Sequence, residues 1–319
     1  MRVLLAYDGS ACAEAARDLV SRLPLPEGSV ITMVTVLARR PELYGAPEFA
    51  TVPADAAEAE SVLAADLQGM LDEAAAPLKA CRHRVETRVV RGRPATAILN
   101  EAAELRPDLI VVGSRGHGPL KTVLLGSVST EVVDHAPCPV LVARTPAVRR
   151  AVLAMDGSYS SDRAVAVLRR WPILRGIPTR VVTVGPVDDA MHTASPLWPD
   201  RPLMHAPEVL LDRQRLVEVG RRAVDELKEV GIPATSDERA GDPATEIIAA
   251  AEATKADLIV VGSRGLSALP RLVLGSVARK VLLHAPHSVL VVRSARERIE
   301  QKEEVRAPAA MALGALGAC

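Results

Sequence analysis

The sequence predicts an α/β protein of two tandem, doubly wound domains, each a five-stranded parallel sheet with helices on both faces. Three observations predict it. The chain repeats itself over almost its whole length, short apolar runs alternate with helical stretches within each repeat, and the cores must be built almost without aromatics. Of 319 residues, 49% are hydrophobic but only 2% aromatic. A Val, Leu, Ile and Ala interior suits buried parallel strands packed by Ala-rich helices.

The repeat is read directly. "VLLAYDGSACAEAA" from Val3 matches "AVLAMDGSYSSDRA" from Ala151, and "VITMVTV" from Val30 matches "TRVVTV" from Thr179. "RGRPATAILNEA" from Arg91 matches "AGDPATEIIAAA" from Ala240, and "HAPCPVLVAR" from His135 matches "HAPHSVLVVR" from His284. The offset is 148 early and 149 later. That period is far longer than the 20 to 50 residues of a stacked solenoid, so a whole domain is duplicated. We place the first domain at 1–146, with the linker "RTPAVRR" (Arg144 to Arg150) at its end, the second at 147–294, and a tail at 295–319. The tail is charged, then Ala/Gly-rich, and reads as a frayed, disordered end.

Within the first copy the strands fall near 2–7, 30–36, 85–90, 109–112 and 139–143. Most lack apolar/polar alternation, which marks strands covered on both faces. A long helix near 55–80 carries Leu63, Leu67, Met70, Leu71, Ala74 and Leu78, a stripe that reads as core. The loops at 38–54 and 185–207 are long, Pro-rich and different in the two copies, and are where we expect specificity. The last strands, "PVLVAR" and "SVLVVR", should be sheet edges that need a cover or a partner.

Composition also excludes functions. Formal net charge is zero, so no global field draws the chain to nucleic acid or an anionic membrane. Two Trp, three Tyr and one Phe cannot supply base-stacking platforms. Cys12, Cys81, Cys138 and Cys319 are scattered without metal-ligand spacing, and the run before Asp8 is too short for a signal peptide. No stretch approaches the ~20 apolar residues that span a membrane. The expected location is the cytoplasm.

The chemistry lies in two glycine loops, "DLIVVGSRGHGPLKTVLLGSVS" from Asp108 and "DLIVVGSRGLSALPRLVLGSVA" from Asp257. Gly113 and Gly116, with Gly262 and Gly265 in the second copy, permit positive φ and close backbone approach to a ligand. Gly126-Ser127-Val128 and Gly275-Ser276-Val277 open a helix, whose free N–H groups and dipole attract phosphate oxygens. Ser127 and Ser276 offer a hydroxyl and an N-cap; Arg115 and Arg264 offer a charge-assisted contact. Neither loop is a Walker motif, because Leu120 precedes Lys121-Thr122, nor a dinucleotide fingerprint, because Gly116 and Gly118 are followed by Lys121.

Asp8-Gly9-Ser10 and Asp156-Gly157-Ser158 end the first strand of each copy. If the first and fourth strands are neighbours across the switch in strand order, Asp8 and Gly113 face one crevice, where the carboxylate can accept from a ribose hydroxyl. The plainer reading, that Asp8 and Ser10 only cap the next helix, weakens when the same pair recurs beside the same loop. His135 and His284 sit at helix C-termini, where the dipole favours them without any catalytic role. Cys138 aligns with His287, so no chemistry is shared there.

The pattern G-x2-G-x9-G-[ST] behind an early strand that ends in Asp resembles the ATP-binding universal stress proteins. Gly113, Gly116, Gly126 and Ser127 fill it once, and Gly262, Gly265, Gly275 and Ser276 a second time. The resemblance runs from residue 2 to about 294 and implies a tandem-domain member with strand order 3-2-1-4-5 in each domain. It also implies ATP in each crevice, with Mg²⁺ on the phosphates. Adenine would lie near Val36 and Val184, ribose on Asp8 and Asp156, and triphosphate on the glycine loops. The last strand of each domain would mediate dimerisation, so the copies would pair within one chain and two chains could form a homodimer. The function implied is a stress-response protein whose ATP occupancy changes its shape or its partners. The alternative is a slow ATPase or a nucleotidyl or phosphoryl transferase, against which stands the lack of a general base or metal cluster beside the loops. An adenylating ATPase would need SGGxDS where the chain has "AYDGS".

Overall fold

The computed structural model describes residues 1–38, 54–81, 83–116, 125–186, 207–265 and 274–293. The loops at 38–54 and 185–207, Lys121 and the tail lie wholly or largely outside the described residues. In the first copy, β1 (Arg2–Ala6), β2 (Val30–Leu37), β3 (Arg84–Arg91), β4 (Leu109–Gly113) and β5 (Val140–Ala143) alternate with helices α1 (Ala11–Arg22), α2 (Ala54–Ala74), α3 (Ala76–Ala80), α4 (Pro94–Leu105) and α5 (Ser127–His135). The second copy carries β6 (Ala151–Met155), β7 (Thr179–Gly185), β8 (Ala234–Ala240), β9 (Leu258–Gly262) and β10 (Ser288–Val292). Its helices are α6 (Tyr159–Arg170), α7 (Pro207–Glu229), α8 (Pro243–Thr254) and α9 (Ser276–His284).

Each half is a parallel sheet in the expected order, and the halves join into one ten-stranded sheet, β3-β2-β1-β4-β5-β10-β9-β6-β7-β8. Strand β1 pairs with both β2 and β4, so the switch in strand order falls between β1 and β4. Because successive residues of a strand point to opposite faces, Val3 and Leu5 enter one core with Leu19 and Leu71, while Leu4 enters the other with Ile98 and Val132. Both faces of the inner strands are covered, which is why those strands show no polar alternation.

The halves meet at β5 and β10, which pair antiparallel with Leu141 opposite Leu290. Two arginines close this seam. The Arg144 guanidinium donates to the carbonyls of Leu282 (2.7 Å) and His287 (3.0 Å). Arg293, only 5% exposed, donates to those of Asp134 (2.6 Å) and Ala136 (3.0 Å). Each thus supplies charge to the carboxyl end of the other half's last helix. Burial pulls Arg144 down to about 10. The stretch expected to be a plain linker therefore begins with part of the seam. The outer edges are β3 and β8, studded with charges such as Arg88, paired to Glu101 (3.3 Å), and Arg239, paired to Glu246 (3.3 Å). Charged edges oppose further sheet growth.

Two expectations are corrected. The helix near 55–80 breaks into α2 and α3 at Ala75. Pro77 opens α3 and has no N–H to continue the ladder. Leu63 does not join the core stripe: it is 48% exposed among the described residues, whereas Leu71, Ala74 and Leu78 are buried. Among the described residues no helix is long and apolar enough to cross a membrane.

Candidate functional site

The carboxyl ends of β1 and β4 carry the two loops that the sequence singles out. After β1 the chain turns at Asp8-Gly9-Ser10, with Gly9 at φ +76°, a left-handed conformation open to glycine at little cost. Asp8 Oδ1 accepts from the Ser10 amide (3.0 Å), which fixes the carboxylate. The Ser10 hydroxyl caps α1 by accepting from the Ala13 amide (3.2 Å) and donates to the Arg115 carbonyl (3.2 Å), so it ties the first loop to the glycine loop. The second copy repeats each feature. Gly157 has φ +72°, Ser158 N–H reaches Asp156 Oδ1 (2.9 Å), and Ser158 Oγ reaches the Arg264 carbonyl (3.3 Å). The capping reading of Ser10 is true, and incomplete.

The glycines of the motif serve a different purpose from the one expected. None of Gly113, Gly116, Gly126, Gly262, Gly265 or Gly275 has positive φ. Gly113, Gly116, Gly262 and Gly265 are required for space, Gly275 is tight, and a Cβ at Gly126 would meet only ordinary contacts at 3.5 Å. A Cβ at Gly113 would stand 2.8 Å from the Cys12 carbonyl carbon, and one at Gly262 2.7 Å from that of Ser160, so β4 and β9 touch the backbone of α1 and α6. A Cβ at Gly116 would overlap Asp8 Oδ2, and one at Gly265 would lie 2.9 Å from Asp156 Oδ2.

The helix openings also differ in detail. The N-cap is Gly126, not Ser127, and Gly275, not Ser276; neither helix has a side-chain cap. The Gly126 amide is spent on the Ser114 carbonyl and the Gly275 amide on that of Ser263, both at 2.7 Å. The amides of Ser127 and Val128, and of Ser276 and Val277, belong to the first turn, have no intrahelical acceptor, and bond to no described residue. By contrast, α1, α6 and α8 are capped by Ser10, Ser158 and Asp242.

These parts enclose one cavity per copy. The first, about 540 Å³, brings together Asp8, Val36, Gly113, Arg115, Gly116, Gly126, Ser127 and Val128. The second, about 400 Å³, brings together Asp156, Val184, Gly262, Arg264, Gly265, Gly275, Ser276 and Val277. Both volumes lie in the range of small-molecule sites. Each combines an apolar wall, a carboxylate and a helix N-terminus, an arrangement suited to a ligand with a flat apolar part, hydroxyls and an anionic end. Among the described residues, no group of three or more His, Cys, Asp or Glu could hold a metal ion.

Sequence reasoning missed several wall residues. Ile98 and Pro94 line the first cavity, Ile247 and Pro243 the second. The signal was available, since Pro-Ala-Thr recurs at 94 and 243. Tyr7 also lines the first cavity, where Met155 stands in the second. Its hydroxyl donates to Glu14, and burial, followed by that hydrogen bond, pushes its pKa up to about 12. His135 and His284 end α5 and α9 and line neither cavity.

Comparison with known proteins agrees with this architecture. Residues 1–144 and 147–293 each match the family model of the universal stress protein family. A universal stress protein of Thermus aquaticus is 34% identical over 142 residues, covering 44% of this chain and 97% of the relative. One from Mycobacterium tuberculosis is 29% identical over 216 residues, covering 66% of this chain and 69% of the relative. A universal stress protein from Archaeoglobus fulgidus superposes with a TM-score of 0.60 at 20% identity, over 92% of this chain and 98% of that one.

Proposed function

The chain belongs to the universal stress protein family, and on that premise we propose that each copy binds ATP and that occupancy regulates conformation or partner binding in a stress response. Adenine packs on Val36 or Val184, ribose donates to Asp8 or Asp156, and the phosphates meet the first-turn amides. The phosphates would bring any Mg²⁺ with them; the first cavity lining offers one carboxylate, Asp8, and the second offers two, Asp156 and Asp212. We infer that two copies of the site act in one chain, with the family's dimerising strand engaged internally, so that any homodimer of whole chains uses another surface.

The observation that carries this reading is the pair of uncapped helix N-termini, each facing a fixed Asp across a cavity. An oriented anion at such a terminus gains about 0.3–1 kcal/mol when exposed and up to ~2 kcal/mol when partly buried. The glycine loop is also wired to the seam. The Ser114 amide donates to the Ala143 carbonyl (3.1 Å) and the Ser263 amide to that of Val292 (2.9 Å). Those carbonyls immediately precede Arg144 and Arg293, which gives a bound nucleotide a short route to the junction. The test is titration of nucleotide-free full-length chain with ATP by calorimetry. Two sites per chain are expected; no heat and no retained nucleotide would end the proposal.

A further inference from the structure

The two sites are built alike at the glycine loops and unlike at the outer wall. Helices α2 and α7 correspond at an offset of 149, and Ala74/Ala223, Ala75/Val224 and Leu78/Leu227 are buried in both. At that offset Leu71, fully buried, corresponds to Gly220. A Cβ on Gly220 would stand 3.4 Å from Thr183 Cγ2, so α7 lies on β7 at a distance that leaves little room for a side chain. One turn earlier Leu216 reaches over the end of β7, with Cδ1 3.6 Å from where a Gly185 Cβ would be. Asp212, Arg215 and Leu216 thereby wall the second cavity. Among the described residues nothing from α2 lines the first cavity.

Arg215 is the telling residue. Its Nη2 lies 3.9 Å from the Cβ position of Gly157, the residue after Asp156. It makes no hydrogen bond or ion pair with any described residue. At the corresponding position α2 carries Asp66, of opposite charge; both residues are exposed.

We propose that the second site, and not the first, accepts adenine nucleotides that carry a phosphate on the ribose 2′ or 3′ hydroxyl, with Arg215 as the residue that admits them. The inference rests on the nucleotide reading above. A ribose presents two vicinal hydroxyls. When one donates to Asp156, a phosphate on its neighbour comes within reach of the guanidinium, whose planar fork matches phosphate oxygens. In dinucleotide sites an arginine near the ribose is what accommodates a 2′-phosphate, where a carboxylate alone takes the free hydroxyl. The corresponding residue of the first copy, Asp66, offers no cation for that phosphate.

The test uses full-length chain freed of nucleotide, titrated with AMP, adenosine 2′,5′-bisphosphate and adenosine 3′,5′-bisphosphate. In the wild type, one site per chain should prefer one of the bisphosphates to AMP by about tenfold, the factor of a single charge-assisted contact. In Arg215→Ala that ratio should fall to about one, and Arg215→Lys should restore part of it. Equal affinities for AMP and both bisphosphates in the wild type, or a preference that survives Arg215→Ala, overturns the proposal. If AMP binds without the preference, only this inference fails. If neither AMP nor ATP binds, the nucleotide reading fails and takes the inference with it.

Discussion

The Asp8 carboxylate occupies the space that a side chain at residue 116 would need, and Asp156 stands in the same relation to residue 265. Each carboxylate is held from the other side by the Ser10 or Ser158 amide. The motif glycine and the strand-end aspartate are therefore one unit, which explains why both recur in both copies. Gly116→Ala must drive Asp8 out of position. ATP affinity at the first site should fall at least ~10-fold, about 1.4 kcal/mol, while the melting temperature barely moves, because Gly116 is exposed. Gly265→Ala, with slightly more room at 2.9 Å, should do the same at the second site to a smaller degree. Calorimetric titration of each variant checks both.

Gly113 and Gly262 should behave oppositely. Their missing side chains make room for the backbone of Cys12 and Ser160, and backbone cannot step aside as a side chain can. Gly113→Ala and Gly262→Ala should each destabilise the fold by about 1–3 kcal/mol, the usual cost of overpacking. Urea denaturation would show it as a lower midpoint with an unchanged slope.

The seam offers a third test. Arg293→Met strands the carbonyls of Asp134 and Ala136, now bonded at 2.6 and 3.0 Å, in a buried site. Each stranded acceptor costs about 1–3 kcal/mol. Arg144→Met should cost less, since Arg144 is only half-buried where Arg293 is buried. The midpoints of urea unfolding for the two variants rank the effects.

Acid should weaken the same seam through His287. Burial pushes its pKa below the usual histidine value, and Nδ1 has no hydrogen-bond partner among the described residues. The unfolded chain binds a proton near pH 6.5, whereas the folded chain resists it. Stability is thus fully present above about 6.5 and declines as pH falls from there through the folded value. His287→Cys, the residue the first copy carries at position 138, should flatten that part of the pH–stability curve. Unfolding free energies measured from pH 8 to pH 5 for both proteins provide the check.

Much of the architecture is legible in the chain because its signals are local. Apolar runs of four to eight residues mark β1, β2, β4 and β5, and the duplication doubles every one of those signals. All sixteen residues picked as the ligand set line the two cavities, eight in each. What stayed hidden depends on contacts between distant segments. A glycine needed for space looks in sequence like a glycine needed for positive φ: the reason for Gly113 lies in α1 packed on β4, and that for Gly116 in the Asp8 carboxylate beside it. Arg144 reads as linker until β10 is placed beside β5. Leu63 fits a helical stripe yet stays exposed, because only the C-terminal part of α2, with Leu71 and Ala74, is buried. The wall made by α7 turns on Gly220, one residue whose effect appears only against Thr183.

The measurement that tests the central claim most directly is to denature freshly purified protein and identify and count the nucleotide it releases. The account predicts adenine nucleotide approaching two moles per chain, predominantly ATP. Mostly ADP or AMP would favour the slow ATPase or transferase instead. Protein that releases none, and binds none when ATP is added back, would contradict the account.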